Sequence, residues 1–381
     1  MAGEWDPLGD AVEATHGAGN GGDPYALLGL GAGQDGLVPL AEGAKEHLTA
    51  KDVGRLLRDL KRKLDKETPW QTPPSPLSDL SWHKPTCTLD AWTHQDVKVE
   101  LGPQIVYVTL NRPADNNVLS DSLITGLCDA VVLLHSRPDI RVVVFSGEGK
   151  MLSAGRDPQG DPYGFSVKAV SEAALSAECN EAANDGAFPD GKANLGRLLQ
   201  AKLWHAWATL PQFTICLANG SALGDGMGLV LCCDMAIAVS GAFFGFPDTK
   251  LGLVNANISP YLLHKISAGV AKNMFVRAQL LSADSALEKG VVDRVVASIA
   301  DGHAAVKEIC AEVSQNGPRA VQLAKELATG VAGRQIDEEI MFYTVAIACR
   351  AAASEEASQA LAAAAAKSPK PWEAEAIQPL R

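Results

Sequence analysis

From residue 97 onward, short runs of β-branched and apolar residues alternate with longer segments whose apolar positions recur at helical spacing. VKVELG and IVYVTLN read as strands, SLITGLCDAVVLLHS as a helix and RVVVFSGEG as a third strand. Strand, strand, helix, strand is the opening of an α/β domain. LWHAWATLPQFTICLANGSALG then predicts a helix and a buried strand, and VLCCDMAIAVS a further helix–strand pair. AFFGFP, SPYLLHKIS, AKNMFVRAQLL and SALEKGVVDRVV continue the alternation, and an Ala-rich helical tail closes the chain. These patterns place a core at 96–300 and a C-terminal helical region at 301–381.

The earlier part of the chain has a different texture. Residues 1–24 are rich in Gly, Asp and Ala without periodicity and read as a flexible leader. Residues 25–68 read as a small helical module: DPYALLGL opens it, and Val53, Leu56, Leu57, Leu60 and Leu64 share a helical face behind Thr49 as N-cap. Residues 69–95 contain Pro69, Pro73, Pro74, Pro76 and Pro85, which predicts an extended linker or a wrapping arm.

Composition narrows the function classes. Of 381 residues, 47% are hydrophobic and 20% charged, enough for a sizeable core. The net charge of −12, without a basic stripe, argues against a nucleic-acid partner. Eight cysteines are scattered without a CxxC pair, several inside apolar runs, which suggests buried thiols in a reduced compartment. MAGEWDPLGD has neither a basic start nor an apolar signal core, and no apolar run reaches spanning length, so a soluble intracellular protein of the cytoplasm or an organelle matrix is expected.

Four landmarks in order carry more specific information: VTLNRPADNNVL at 108–119, VVVFSGEGKMLSAGRD at 142–157, ANGSALGDGMGLVLCCDMAIA at 218–238 and FGFPDTKLGLVNANISPYLLHKI at 244–266. LLSADSALEKGVVDRVV and the closing SEEASQALAAAAAKSPKPW follow. Together they resemble the crotonase (enoyl-CoA hydratase/isomerase) superfamily across about 96–372. The resemblance implies a ββα-spiral core whose C-terminal helices assemble homotrimers or hexamers. The module at 25–68 is also similar to the start of a J-domain, but no His-Pro-Asp triplet follows Leu64. A docking helix for a protein partner is the plainer reading of that module.

The resemblance implies a shared chemical task, holding an acyl-thioester carbonyl so that an enolate is met by two backbone amides. It places one amide at Arg156, after Ala154 and Gly155, and the other at Asp225, after Gly224. Gly usually fills the second place; an outward Asp225 side chain capping the next helix is expected here, with an acid or base role as the alternative. Hydratases of the family use two glutamates, and their positions hold Gly228 and Asp248 in this chain. Losing the first carboxylate should impair ordinary hydration, leaving Asp248 as the lone inherited carboxylate position.

Tyr163, Lys168, Ser259 and Tyr261 are candidate pocket residues, and His264 reads as a partly buried structural side chain. Lys367 and Lys370, with Arg112, Lys150 and Arg156, are candidates for CoA phosphates. The polar stretch SAECNEAANDGAFPDGKANLG reads as a surface insertion near the pocket mouth. The substrate expected is an acyl-CoA or carrier-bound thioester, with no metal and no cofactor beyond substrate CoA. Isomerase or decarboxylase/lyase chemistry fits the residues better than ordinary hydration; a catalytically degenerate binding or scaffold subunit is the alternative.

Overall fold

The computed structural model describes residues 37–38, 48–49, 80, 82–156, 191–374 and 376–381. The chain divides into two compact units, Met1–Pro73 and Pro74–Arg381. In the first, Leu37–Val38 pairs antiparallel with Leu48–Thr49. Thr49 therefore sits in a short strand. The helix expected beyond it lies outside the described residues.

The second unit is built on a six-stranded sheet. Its strands are β1 (Val97–Gly102), β2 (Ile105–Leu110), β3 (Val142–Gly147), β5 (Phe213–Ala218), β7 (Met235–Val239) and β10 (Arg294–Val296), in the spatial order β10-β7-β5-β3-β2-β1. Only β1–β2 is antiparallel; the other pairings are parallel. All six residues of β2 are buried because the sheet is covered on both faces, which explains its unbroken apolar run. Alternate side chains serve different cores: Val106, Val108 and Leu110 join the larger one, while Ile105 and Tyr107 join the smaller.

The larger core is closed by α1 (Asp121–His135) and α2 (Gly191–Ala208). The smaller is closed by α7 (Ile299–Ser314), through Ala305, Val306 and Ile309. Ser120 caps α1 by accepting from the Leu123 amide, and Ser298 caps α7 by accepting from Asp301.

A second sheet of four short strands, β4 (Met151–Ser153), β6 (Ser221–Leu223), β8 (Phe243–Gly245) and β9 (Leu280–Ser282), has the order β9-β8-β6-β4. Strands β4, β6 and β8 run parallel. Between and after them come α3 (Met227–Leu231), α4 (Ser259–Lys265), α5 (Ala268–Val276) and α6 (Ala283–Glu288). Helices α8 (Pro318–Val331), α9 (Glu338–Ala352) and α10 (Glu355–Ala365) form the remainder of the C-terminal helical region.

The segment before β1 is packed against this unit. Trp82 and His83 are buried, and Trp92 Nε1 donates to the Val97 carbonyl at 2.6 Å. Among the described residues, no helix is long and apolar enough to cross a membrane. Cys128, Cys216, Cys232, Cys233 and Cys310 are buried free thiols, as their apolar surroundings imply.

Candidate active site

Three parallel strands of the small sheet end on one edge, and each delivers one element of the site. Strand β4 runs into Ala154-Gly155-Arg156, β6 into a 3-10 turn at Gly224–Gly226, and β8 into a second 3-10 turn at Pro247–Leu251 that carries Asp248. Parallel pairing makes this convergence unavoidable, because neighbouring parallel strands present their carboxyl ends at the same edge.

The two glycine turns touch. Gly155 has φ +89°, and a Cβ there would lie 2.5 Å from the Leu223 carbonyl oxygen and 3.3 Å from the Asp225 amide nitrogen. Only glycine permits both the backbone angle and the approach. Gly226 also lies close to Ser153, where an added Cβ would stand 2.8 Å from the Ser153 carbonyl oxygen. The Ala154 amide donates to the Asn116 carbonyl and the Gly155 amide to Ser153 Oγ, so both are engaged inside the protein. Asn117, with its side chain bonded to the Arg112 amide and the Glu148 and Met151 carbonyls, braces the loop behind them.

Asp248 is buried, at 7% exposure, with its carboxylate against Gly224: a Cβ at 224 would meet Asp248 Oδ2 at 3.0 Å. Arg156 Nη2 stands 3.6 Å from Asp248 Oδ1. The guanidinium named as a candidate for CoA phosphates thus has a carboxylate beside it.

Asp225 does not cap a helix. It lies within the 3-10 turn, where its side chain cannot reach back to the following amides, and it accepts instead from Asn255 Nδ2 at 3.2 Å. Burial pushes its carboxyl above the usual carboxylate range, and the negative charge of Asp248 adds to that. The amides of Gln200 and Asn255 and the charge of Arg156 offset part of the shift. Gln200 Nε2 faces the carboxylate without closing a hydrogen bond of good geometry, while its Oε1 accepts from Asn257 Nδ2 at 3.0 Å. Among the described residues, the site thus brings together two neighbouring carboxylates, Asp225 and Asp248, and Arg156.

Gly228 lies in α3 with Trp204 of α2 pressed against it. A Cβ at 228 would stand 2.7 Å from Trp204 Cε2 and Cζ2. The space that a side chain at 228 would take is therefore filled by an indole.

Other candidates are dispersed. Tyr261 is half-buried on α4, where burial and, secondarily, the nearby Cys232 hold its phenol well above the ordinary range. Ser259 Oγ donates to the Ala256 carbonyl at 2.8 Å. His264 is exposed and not partly buried, because it lies on the outer face of α4. Arg112 is committed to Ser120 and Asp115, and Lys370 pairs with Glu373 at 3.2 Å. Lys367 is exposed at the end of α10, with φ +50°. Tyr163, Lys168 and the polar stretch up to residue 190 lie outside the described residues. The inward Arg156, the Asn255 and Gln200 partners of Asp225, and the Trp204 plug had no local signature; each depends on residues distant in sequence.

Two opposed glycine turns at the ends of parallel strands, with a buried carboxylate behind them, are the active-site architecture of the crotonase fold. The chain belongs to the enoyl-CoA hydratase/isomerase family, whose profile matches residues 100–170 and 177–344. It is 30% identical to the (E)-benzylidenesuccinyl-CoA hydratase of Thauera aromatica over 236 residues, covering 61% of this chain and 81% of that protein. It is 29% identical to the crotonyl-CoA hydratase of Syntrophomonas wolfei over 237 residues, covering 62% and 82%. A crystal structure of enoyl-CoA hydratase from Bacillus anthracis superposes with a TM-score of 0.61 at 25% identity, covering 74% of this chain and all of that one.

Proposed function

We propose that this protein acts on an acyl-CoA or carrier-bound acyl thioester through an enolate held by the Arg156 and Asp225 amides. Proton transfer would rest on Asp248, giving isomerisation or decarboxylation/lyase chemistry and not ordinary hydration. The observation that carries this reading is the Trp204 indole against Gly228, which leaves no room for a second glutamate to position water. Relatives are named as hydratases, but this chain lacks that half of the hydratase pair.

The residues fit the steps. The carbonyl oxygen would sit between the two turns, where Gly155 and Gly224 remove the side chains that would block it. Asp248, backed by Arg156, takes a proton from one acyl carbon and returns it to another. Asp225, whose carboxyl burial holds above the usual range, offers a second carboxyl group on the same edge. In a decarboxylation, loss of carbon dioxide leaves the enolate directly and needs only the amides and one proton donor.

Assembly into a homotrimer or hexamer belongs to the same proposal. It is supported by Met341 and Val345 of α9 and Leu361 of α10, which are large apolar side chains left 40–51% exposed in the single chain.

A panel of enoyl-, dienoyl- and carboxyacyl-CoA substrates, assayed with wild type and Asp248→Ala, tests the reading. Isomerised or decarboxylated product that disappears with the substitution supports it. A scaffold subunit would give no turnover while CoA esters still raise Tm; neither turnover nor thermal shift would remove the thioester reading itself.

A further inference from the structure

A group of side chains outside the active site converges on one buried carboxylate. Asp129, on the inner face of α1, is fully buried. Its Oδ1 meets His83 Nε2 in a very short contact. Its Oδ2 is approached by the Thr86 amide at 2.8 Å, Thr86 Oγ1 at 2.6 Å, His94 Nε2 at 2.8 Å and Cys87 Sγ at 3.7 Å. His83, Thr86, Cys87 and His94 all belong to the arm that precedes β1, and the family profile begins only at residue 100.

Five groups approach a carboxylate that offers about four lone-pair sites. As a set of hydrogen bonds the cluster is over-subscribed. A cation among Cys87, His94 and Asp129 resolves this, because the thiol and the imidazole then turn lone pairs to the ion and cease to compete as donors. The carboxylate is left with the ion, the two Thr86 groups and His83.

The geometry is that of ligands already gathered. Cys87 Sγ, His94 Nε2 and an Asp129 oxygen all lie within 4.8 Å of one another. The edges of a tetrahedral zinc site are about 3.3–3.6 Å, given metal–ligand distances near 2.0–2.3 Å, so shifts of under about 1.5 Å complete it. We infer that Cys87, His94 and Asp129 form a binding site for a divalent transition metal of the zinc class, with His83 holding the outer carboxylate oxygen in orientation. This departs from the expectation of no metal that the sequence alone gave.

Charge and donor type agree. A thiolate and a carboxylate supply the two negative charges that balance a divalent ion, and neutral imidazole adds the third ligand. Thiolate and imidazole donors exclude the oxygen-seeking Mg2+ and Ca2+ and suit Zn2+ or Co2+. His83 on the far oxygen of Asp129 matches the hydrogen bonds that commonly fix a metal-bound carboxylate. Cys87 and His94 are half-buried, which leaves a path for the ion and a fourth position for water.

Such an ion clips the arm onto α1. Packing is already arranged for it, since Trp82 is buried and His94 covers Gly126 of α1, where an added Cβ would lie 3.4 Å from His94 Cγ.

The test uses the full chain, depleted with a chelator and titrated with Co2+ and then with Zn2+. One equivalent of Co2+ should bind with tetrahedral visible bands and a thiolate-to-metal charge-transfer band, and Zn2+ should displace it and raise Tm. Cys87→Ser, a small change at a half-exposed position, should lose the charge-transfer band and weaken binding at least about 100-fold with circular dichroism unchanged. His94→Gln should do likewise. Cys349→Ser, which removes an exposed thiol, should leave binding intact. The inference is overturned if folded wild type binds no stoichiometric Co2+, or if binding survives Cys87→Ser and His94→Gln unchanged; the cluster is then only a hydrogen-bonded anchor.

Discussion

The six-membered ring of the Trp204 indole lies against Gly228 so closely that a Cβ at 228 would stand 2.7 Å from two of its carbons. A side chain at 228 and the Trp204 indole would therefore compete for the same space. Gly228→Glu alone should lower stability by about 1–3 kcal/mol through overpacking, without creating hydratase activity. Trp204→Ala with Gly228→Glu places a second carboxylate in the vacated space, and hydration of a short enoyl-CoA should rise above the parent rate. Equal hydration by the parent and a well-folded double variant would sink this account.

Removing the Asp248 carboxylate should spare the fold and stop the proton step. For Asp248→Asn the expected loss in kcat is about 10²–10⁴-fold with KM little changed. A fall confined to KM would mean that Asp248 only binds substrate.

Gly155→Ala should cost about 10²–10³-fold in kcat, because the added methyl would stand 2.5 Å from the Leu223 carbonyl and force the two amide turns apart. Gly252, at φ +73° but with no described residue within 4 Å of an added Cβ, is the matched control for backbone strain. Gly252→Ala should keep kcat near the parent value. Equal losses in both variants would point to strain alone.

Asp225 links stability to pH in a defined direction. Its folded pKa is raised by burial, so its stabilising contribution is full below the ordinary carboxylate pKa and is lost as pH rises through the folded value. Asp225→Asn should therefore raise Tm at neutral pH by a few degrees relative to its effect near about pH 3.5. Urea or thermal unfolding at the two pH values measures this; a larger gain in acid would reverse the sign.

His135 has the opposite dependence. Burial lowers its pKa to about 4, while Nε2 donates to the Ala206 carbonyl at 2.8 Å. Stability is fully present above the free imidazole value of about 6.5 and falls as pH drops toward 4, by roughly 3 kcal/mol. His135→Gln should flatten that acid limb in denaturant titrations.

The alternation of strands and helices was legible because burial on both faces of a parallel sheet leaves unbroken runs such as IVYVTL, and amphipathic helices leave their own spacing. The glycine turns were legible through the family resemblance of SAGRD and ALGDG, and the positive φ of Gly155 and Gly224 explains why glycine stands there. The pairing of Arg156 with Asp248 was not legible because the two lie on segments that follow different strands. Asp225 was misread as a cap because a turn written GDG does not reveal whether the aspartate faces the helix or the pocket.

The sequence by itself determined the fold class, since the alternation of strands and helices depends on residue type at short range, and its family resemblance pointed to the two glycine turns and to Gly228 and Asp248. Tertiary structure alone decided that Trp204 fills the vacated space, that Arg156 and Asp248 pair, that Asp225 and Asp248 are neighbours, and that the arm's His83, Cys87 and His94 meet Asp129. Those contacts join strands and helices tens of residues apart, and only the packing of the parallel edges and of the arm brings them within reach.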